Sequence, residues 1–270
     1  MGIASFRSSI DPAGASPDLP FYIERGSGPP LVLVHGLMVT GEMFEPMLDD
    51  LSARHRVIVP DLRGHGRSRG LPPPYTVSQL ASDLAGLLDH LGIPSAPMLG
   101  YSQGGAVAQQ FALDYPQRCE KLILVCSYSY DMVRFREKID SHFAPILIRI
   151  LGMRLFGKFV VSQALTHLKG DRAEWLAGVI GSQDPGLMVA AWKETMAFDS
   201  RSWLSRIGCP TLVVSAAEDK AVPIHHGKML HAGINGSRLE VVEGADHGLF
   251  WTHPRELLRM INGFLETTGR

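Results

Sequence analysis

The chain has 270 residues, of which 45% are hydrophobic and 20% charged, and its 26 basic and 27 acidic side chains leave a formal net charge of −1. That length can bury a substantial core, commonly as one catalytic domain, and the balanced charge gives no electrostatic footprint for a nucleic-acid partner. Cys119, Cys126 and Cys209 have no metal-ligand spacing and suit core roles in a reducing compartment.

In chain order, residues 1–20 carry Ser, Pro, Asp and Gly without an apolar core of signal-peptide length, and read as an N-terminal extension. No run in the sequence reaches bilayer-spanning length, so the expected location is cytoplasmic, without membrane association. Short apolar runs predict strands near Phe21–Glu24, Leu31–His35 and Arg56–Pro60. Thr76 with Gln79 reads as a capping box for a helix reaching about Leu91, where Gly92 and Pro94 stop it. A strand over Pro97–Tyr101 runs into Gly100-Tyr101-Ser102-Gln103-Gly104-Gly105, and a helix over Gln103–Asp114 follows. The next strand is expected at Lys121–Cys126. Their Val, Ile and Leu content suits strands buried on both faces of a mostly parallel sheet.

Residues 127–203 break this alternation and read as several helices forming a cap. Tyr128, Trp192 and Met196 of this segment, with Met38, are the candidate substrate contacts, because small-molecule sites are mostly apolar. Trp192 and Met196 fall on one helical face. Lys and Arg outnumber Asp and Glu between Arg134 and Arg172. A basic amphipathic helix can meet a membrane surface or an anionic substrate, although solvated charges are the commoner reason for the pattern. Alternation resumes with strands at Thr211–Ala216 and Leu239–Val242, and Pro254 can open the last helix. The core is therefore 21–126 with 204–270, a doubly wound α/β sheet.

The chemistry gathers at the strand ends. G-x-S-x-G between a strand and a helix is the nucleophile-elbow pattern, which holds a serine hydroxyl out on a sharp turn. A base and an acid must then follow in the order Ser, Asp or Glu, His. His247 sits on the loop after the last strand and is the candidate base. Asp219, at the end of the preceding strand, is the candidate acid; Glu218 competes with it, whereas Asp246, adjacent to His247, points away from the imidazole. In this architecture one oxyanion N–H follows the nucleophile and another comes from the loop after an early strand. That assigns Gln103 and Leu37, with Met38 as the fallback for the second. His35 reads as a local hydrogen-bonding residue that shapes the loop.

With His35-Gly36 after an early strand, Asp61-Leu62-Arg63-Gly64-His65-Gly66-Arg67-Ser68, the Ser102 elbow, Asp219 and His247, the chain resembles the α/β-hydrolase-fold proteins. The similarity runs from about Phe21 to Leu265, apart from the middle. It implies a structural role for Asp61–Ser68 and the triad roles given above. Serine at the elbow argues against haloalkane dehalogenases and related epoxide hydrolases, which carry aspartate there. The loop after His35 lacks the Gly/Pro-rich run of carbon–carbon bond hydrolases and prolyl aminopeptidases. The expected activity is hydrolysis of a small or medium carboxylic ester, requiring no metal and no organic cofactor. Lactonase, thioesterase and acyltransferase or perhydrolase chemistry stay open on the same triad, as does a non-catalytic ligand receptor. Monomer and homodimer are both open.

Overall fold

The computed structural model describes residues 18–130 and 133–267, so most of the N-terminal extension, 1–17, lies outside the described residues. Seven strands form one sheet: β1 (Tyr22–Arg25), β2 (Pro30–Val34), β3 (Arg56–Pro60), β4 (Ala96–Tyr101), β5 (Cys119–Val125), β6 (Thr211–Ala216) and β7 (Arg238–Val242). Their order is β1-β3-β2-β4-β5-β6-β7. Only β1 is antiparallel, pairing Tyr22 with Pro60 on β3; the other pairings are parallel. All seven expected strands are present; Arg56–Pro60 and Thr211–Ala216 match at both ends and the others differ by one or two residues.

Side chains alternate across the sheet because successive Cβ atoms of a strand point to opposite faces. Leu31, Leu33, Val57, Val59, Leu212 and Val214 pack on one face with α1 (Glu45–Ser52), α8 (Leu249–Thr252) and α9 (Pro254–Glu266). Val32, Val34, Ile58, Met98 and Leu124 pack on the other with α2 (Val77–His90), α3 (Gln103–Asp114) and α7 (His225–Gly233). Each fully buried aliphatic side chain contributes about 1.5–3 kcal/mol relative to exposure. Covering both faces in this way is what lets the strands consist of almost unbroken apolar runs.

Two local signals behave differently from expectation or were silent. Thr76 caps α2 by accepting from Gln79 N–H at 3.1 Å, but the Gln79 amide bonds Asp83 rather than returning to Thr76. Asp83 is the stronger attractor because it also takes two guanidinium bonds from buried Arg63, at 2.7 and 2.6 Å. Only half of the capping box forms. The sequence pattern also does not mark α1 or α7, which are short and lie between loop-like stretches.

Between β5 and β6 come α4 (Phe135–Ala164), α5 (Asp171–Gly181) and α6 (Pro185–Ala197). α4 contacts both α5 and α6. It breaks at Gly152, whose φ of 68° is a left-handed conformation that glycine adopts without a Cβ penalty. Most of the basic stretch seen in the sequence belongs to this helix, which also leaves Ile146, Ile150 and Leu155 exposed. Among the described residues no helix is long and apolar enough to cross a membrane.

Candidate active site

Ser102 lies between β4 and α3 with φ 52° and ψ −119°, a conformation that costs energy for any residue with a Cβ. The surroundings over-determine it. Ser102 N–H donates to Val125 O at 3.0 Å, while Ser102 O accepts from Gly105 N–H and from the Ser127 hydroxyl, both at 2.9 Å. A Cβ on Gly100 would strike the backbone of Gly104 and Gly105, and one on Gly104 would strike the carbonyls of Val34 and His35. The two glycines thus let α3 press against β4 and β2, which fixes the turn that carries the serine.

His247 occupies the loop after β7. Its Nδ1–H donates to Asp219 Oδ2 at 2.7 Å, leaving Nε2 as the basic nitrogen. The other Asp219 oxygen accepts from the N–H groups of Ala221 and Val222, each at 2.8 Å, so the tight turn after β6 locks the carboxylate. Glu218, the competing acid, is largely exposed and pairs with His167 at 3.2 Å. Asp246 faces away from the imidazole. It accepts from Gly248 N–H, from the Thr166 hydroxyl and from His167 N–H, which ties the His247 loop to the α4–α5 connection.

Ser102, His247, Leu37, Met38 and Gln103 line one cavity of about 430 Å³. Its remaining wall is largely apolar; all three helices that follow β5 contribute, with Leu147 and Phe156 on α4, Leu176 and Ile180 on α5, and Trp192 and Met196 on α6, alongside Val39, Met43, Phe250 and Trp251 of the core. Tyr128 lines it as well. All four expected substrate contacts therefore reach the same space as Ser102. Gln103 opens α3, where a backbone N–H has no intrahelical acceptor. Among the described residues neither Gln103 N–H nor Leu37 N–H has a backbone partner. Met38 has φ 66°, so the chain turns sharply beside them.

His35 is fully buried, donates from Nδ1 to Gly36 O at 2.7 Å and accepts at Nε2 from Leu62 N–H at 2.8 Å. Both ring nitrogens are engaged, and burial holds its pKa below the ordinary histidine value. Asp61 is likewise buried and accepts from Gly41 N–H and Arg67 N–H, pinning the loop after β3.

Three contacts escape sequence reasoning. The Tyr101 hydroxyl donates to His247 O at 2.8 Å and its ring lies 4.9 Å from the imidazole, which steadies the loop. The Gln103 amide donates to Thr195 on α6 at 2.6 Å, linking the elbow to the helices above it. Cys126 is buried with its thiol within 4.8 Å of Asp219 and His247, and burial pushes its pKa well up, so it stays protonated. Only the position of Tyr101 next to the elbow serine hints at any of these.

A family model described as the alpha/beta hydrolase fold matches residues 29–254. The chain belongs to the alpha/beta hydrolase family. Within that family it is 30% identical over 258 residues to the pimeloyl-[acyl-carrier protein] methyl ester esterase of Aeromonas hydrophila, covering 90% of this chain and 98% of that one. It is 28% identical over 258 residues to a putative carbamate hydrolase, RutD, of Azorhizobium caulinodans, covering 93% and 96%. Among alpha/beta hydrolases of solved structure, a thermophilic esterase from Thermogutta terrifontis superposes with a TM-score of 0.81 at 28% identity, covering 91% of this chain and 92% of that one.

Proposed function

We propose that the chain is a serine hydrolase of carboxylic esters, with Ser102 as nucleophile, His247 as general base and acid, and Asp219 as the carboxylate that orients the imidazole. The observation that carries this reading is the 2.7 Å hydrogen bond between buried Asp219 and His247, with His247 lining the same cavity as the strained Ser102.

In the reaction, His247 Nε2 takes the Ser102 proton as Oγ attacks the ester carbonyl. The charge that develops on the carbonyl oxygen is met by the N–H groups of Gln103 and Leu37, and each such donor is worth about 2.7–4 kcal/mol in the transition state. His247 then protonates the leaving alcohol. Water, activated by the same nitrogen, hydrolyses the acyl-enzyme and restores Ser102. Asp219 holds the ring in place and stabilises the imidazolium through the Nδ1 hydrogen bond. Every step is proton transfer and acyl transfer, carried by side chains and backbone donors of this chain.

The helices α4–α6 act as a cap in this reading and supply the acyl pocket. Its apolar lining and volume of about 430 Å³ favour small or medium acyl groups over charged ones. Phe143 and Phe159 line it while remaining about half exposed, which places an apolar mouth on α4. The similarity to two esterases supports an ester over other acyl substrates. The test is turnover of p-nitrophenyl acetate, butyrate and octanoate, with a lactone of matched size alongside. Serine-dependent hydrolysis with the highest kcat/KM on butyrate or octanoate is expected. Preference for the lactone would move the substrate class, and absence of turnover on every ester would contradict the proposal.

A further inference from the structure

Glu137, His225 and His226 play no part in the chemistry above, yet they converge. Glu137 lies in the first turn of α4, and the two histidines open α7. His225 Nε2 is 3.0 Å and His226 Nε2 3.3 Å from Glu137 Oε1, and one donor atom from each residue lies within 4.8 Å of the others. The His226 side chain is fully buried, and those of His225 and Glu137 are only 17% and 15% exposed.

These groups are close without being satisfied. Among the described residues neither ring nitrogen of His225 or His226 has a hydrogen-bond partner of good geometry, nor does Glu137 Oε1, although Glu137 Oε2 accepts from Arg134 N–H at 2.5 Å. Buried polar atoms left in that condition need an explanation, and a bound ion is a recognised one. Burial lowers the pKa of both histidines, that of His226 to about 4 with a further push from His225. Imidazole nitrogens and a carboxylate oxygen are donors that suit a transition-metal ion. Zinc–nitrogen and zinc–oxygen bonds of about 2.0–2.2 Å place neighbouring donors roughly 2.8–3.6 Å apart at octahedral to tetrahedral angles. The two measured separations fall in that interval.

We propose that Glu137, His225 and His226 form a binding site for a divalent transition-metal ion of imidazole preference, such as Zn²⁺, which clips the start of α4 to α7. Two imidazoles and one carboxylate leave coordination positions open to water or another small ligand. Glu137 also lines the cavity, so the ion has a way in. The site is independent of the serine chemistry and stands or falls without it.

The test uses the full-length chain, stripped with a chelator and dialysed against micromolar ZnCl₂, with bound metal counted and Co²⁺ substituted for its visible spectrum. One equivalent per chain is expected, with a rise in melting temperature. His225→Asn and Glu137→Gln should each weaken binding by about 100-fold or more and remove the thermal shift. Both replaced side chains are partly exposed, so these variants avoid the fully buried His226. Ser102→Ala should bind zinc like the wild type, which separates this result from the fate of the esterase reading. The proposal is overturned if the folded wild type takes up no zinc, or if both variants bind it unchanged. It is equally overturned if Glu137→Gln lowers the melting temperature while zinc has no effect on the wild type, the behaviour of a plain ion pair.

Discussion

Asp219 shows how one carboxylate is given a single task. One oxygen is held by two backbone N–H groups of its own turn, and the other is left for His247 Nδ1. Glu218, one residue earlier, projects toward solvent and His167 instead. Both acids lie in the turn beyond β6, which ends at Ala216, where strand alternation no longer sets which way a side chain faces, so spacing alone left both open and only the course of the turn separates them. In the proposed mechanism Asp219→Asn stabilises the wrong imidazole tautomer and should lower kcat by about 10⁴-fold. Glu218→Gln should leave kcat within a factor of about two, in line with a surface ion pair worth roughly 0–1 kcal/mol. Steady-state kinetics of the two variants side by side check this, and the reverse ranking would reassign the acid. The strand-end positions of Ser102, His247 and Gln103 were readable because local sequence sets the turn after β4 and the loop after β7. Tyr101 and Thr195 were not, because what matters is a partner 146 or 92 residues away.

At the scale of elements, the elbow depends on how closely α3 approaches the sheet. The absence of a side chain at Gly104 lets the helix start against the carbonyls of Val34, at the end of β2, and the following His35. Gly104→Ala forces that contact apart, and since its obstacle is backbone rather than a mobile side chain, a loss of at least about 2 kcal/mol is expected. Urea denaturation checks the value, and a variant as stable as the wild type would contradict the close packing. The inner strands β2–β6 were legible because both of their faces are largely buried and each carries an apolar run, whereas the edge strands β1 and β7 are only partly buried. The helices between β5 and β6 were legible only as a class. Their tilt and contacts follow from long-range links such as Asp246 to Thr166 and Gln103 to Thr195. The Glu137–His225–His226 cluster was invisible in the sequence for the same reason, since its carboxylate and its histidines come from separate helices.

For the whole molecule, buried neutral histidines make stability depend on pH. His65 and His35 are fully buried with rings 5.3 Å apart. Burial, with a further push from His35, lowers the His65 pKa to about 3, and burial lowers that of His35 as well. Unfolded, each returns to about 6.5. Between the folded and unfolded values the unfolded chain binds more protons, so stability rises with pH in that window. The contribution is complete above about pH 6.5 and is lost as pH falls toward the folded values, by up to about 1.4 kcal/mol per pH unit for each group. A urea midpoint lower at pH 5 than at pH 7.5 is expected, and equal midpoints would contradict the burial of these rings as neutral species.

A covalent acyl-enzyme on Ser102 is central to the proposed chemistry, and mass spectrometry after treatment with an alkyl fluorophosphonate tests it most directly. One adduct per chain, carried by the peptide containing Ser102 and absent from Ser102→Ala and Asp219→Asn at matched exposure times, is the predicted result. An unlabelled, folded wild type, or a label that persists on another residue in Ser102→Ala, would contradict it.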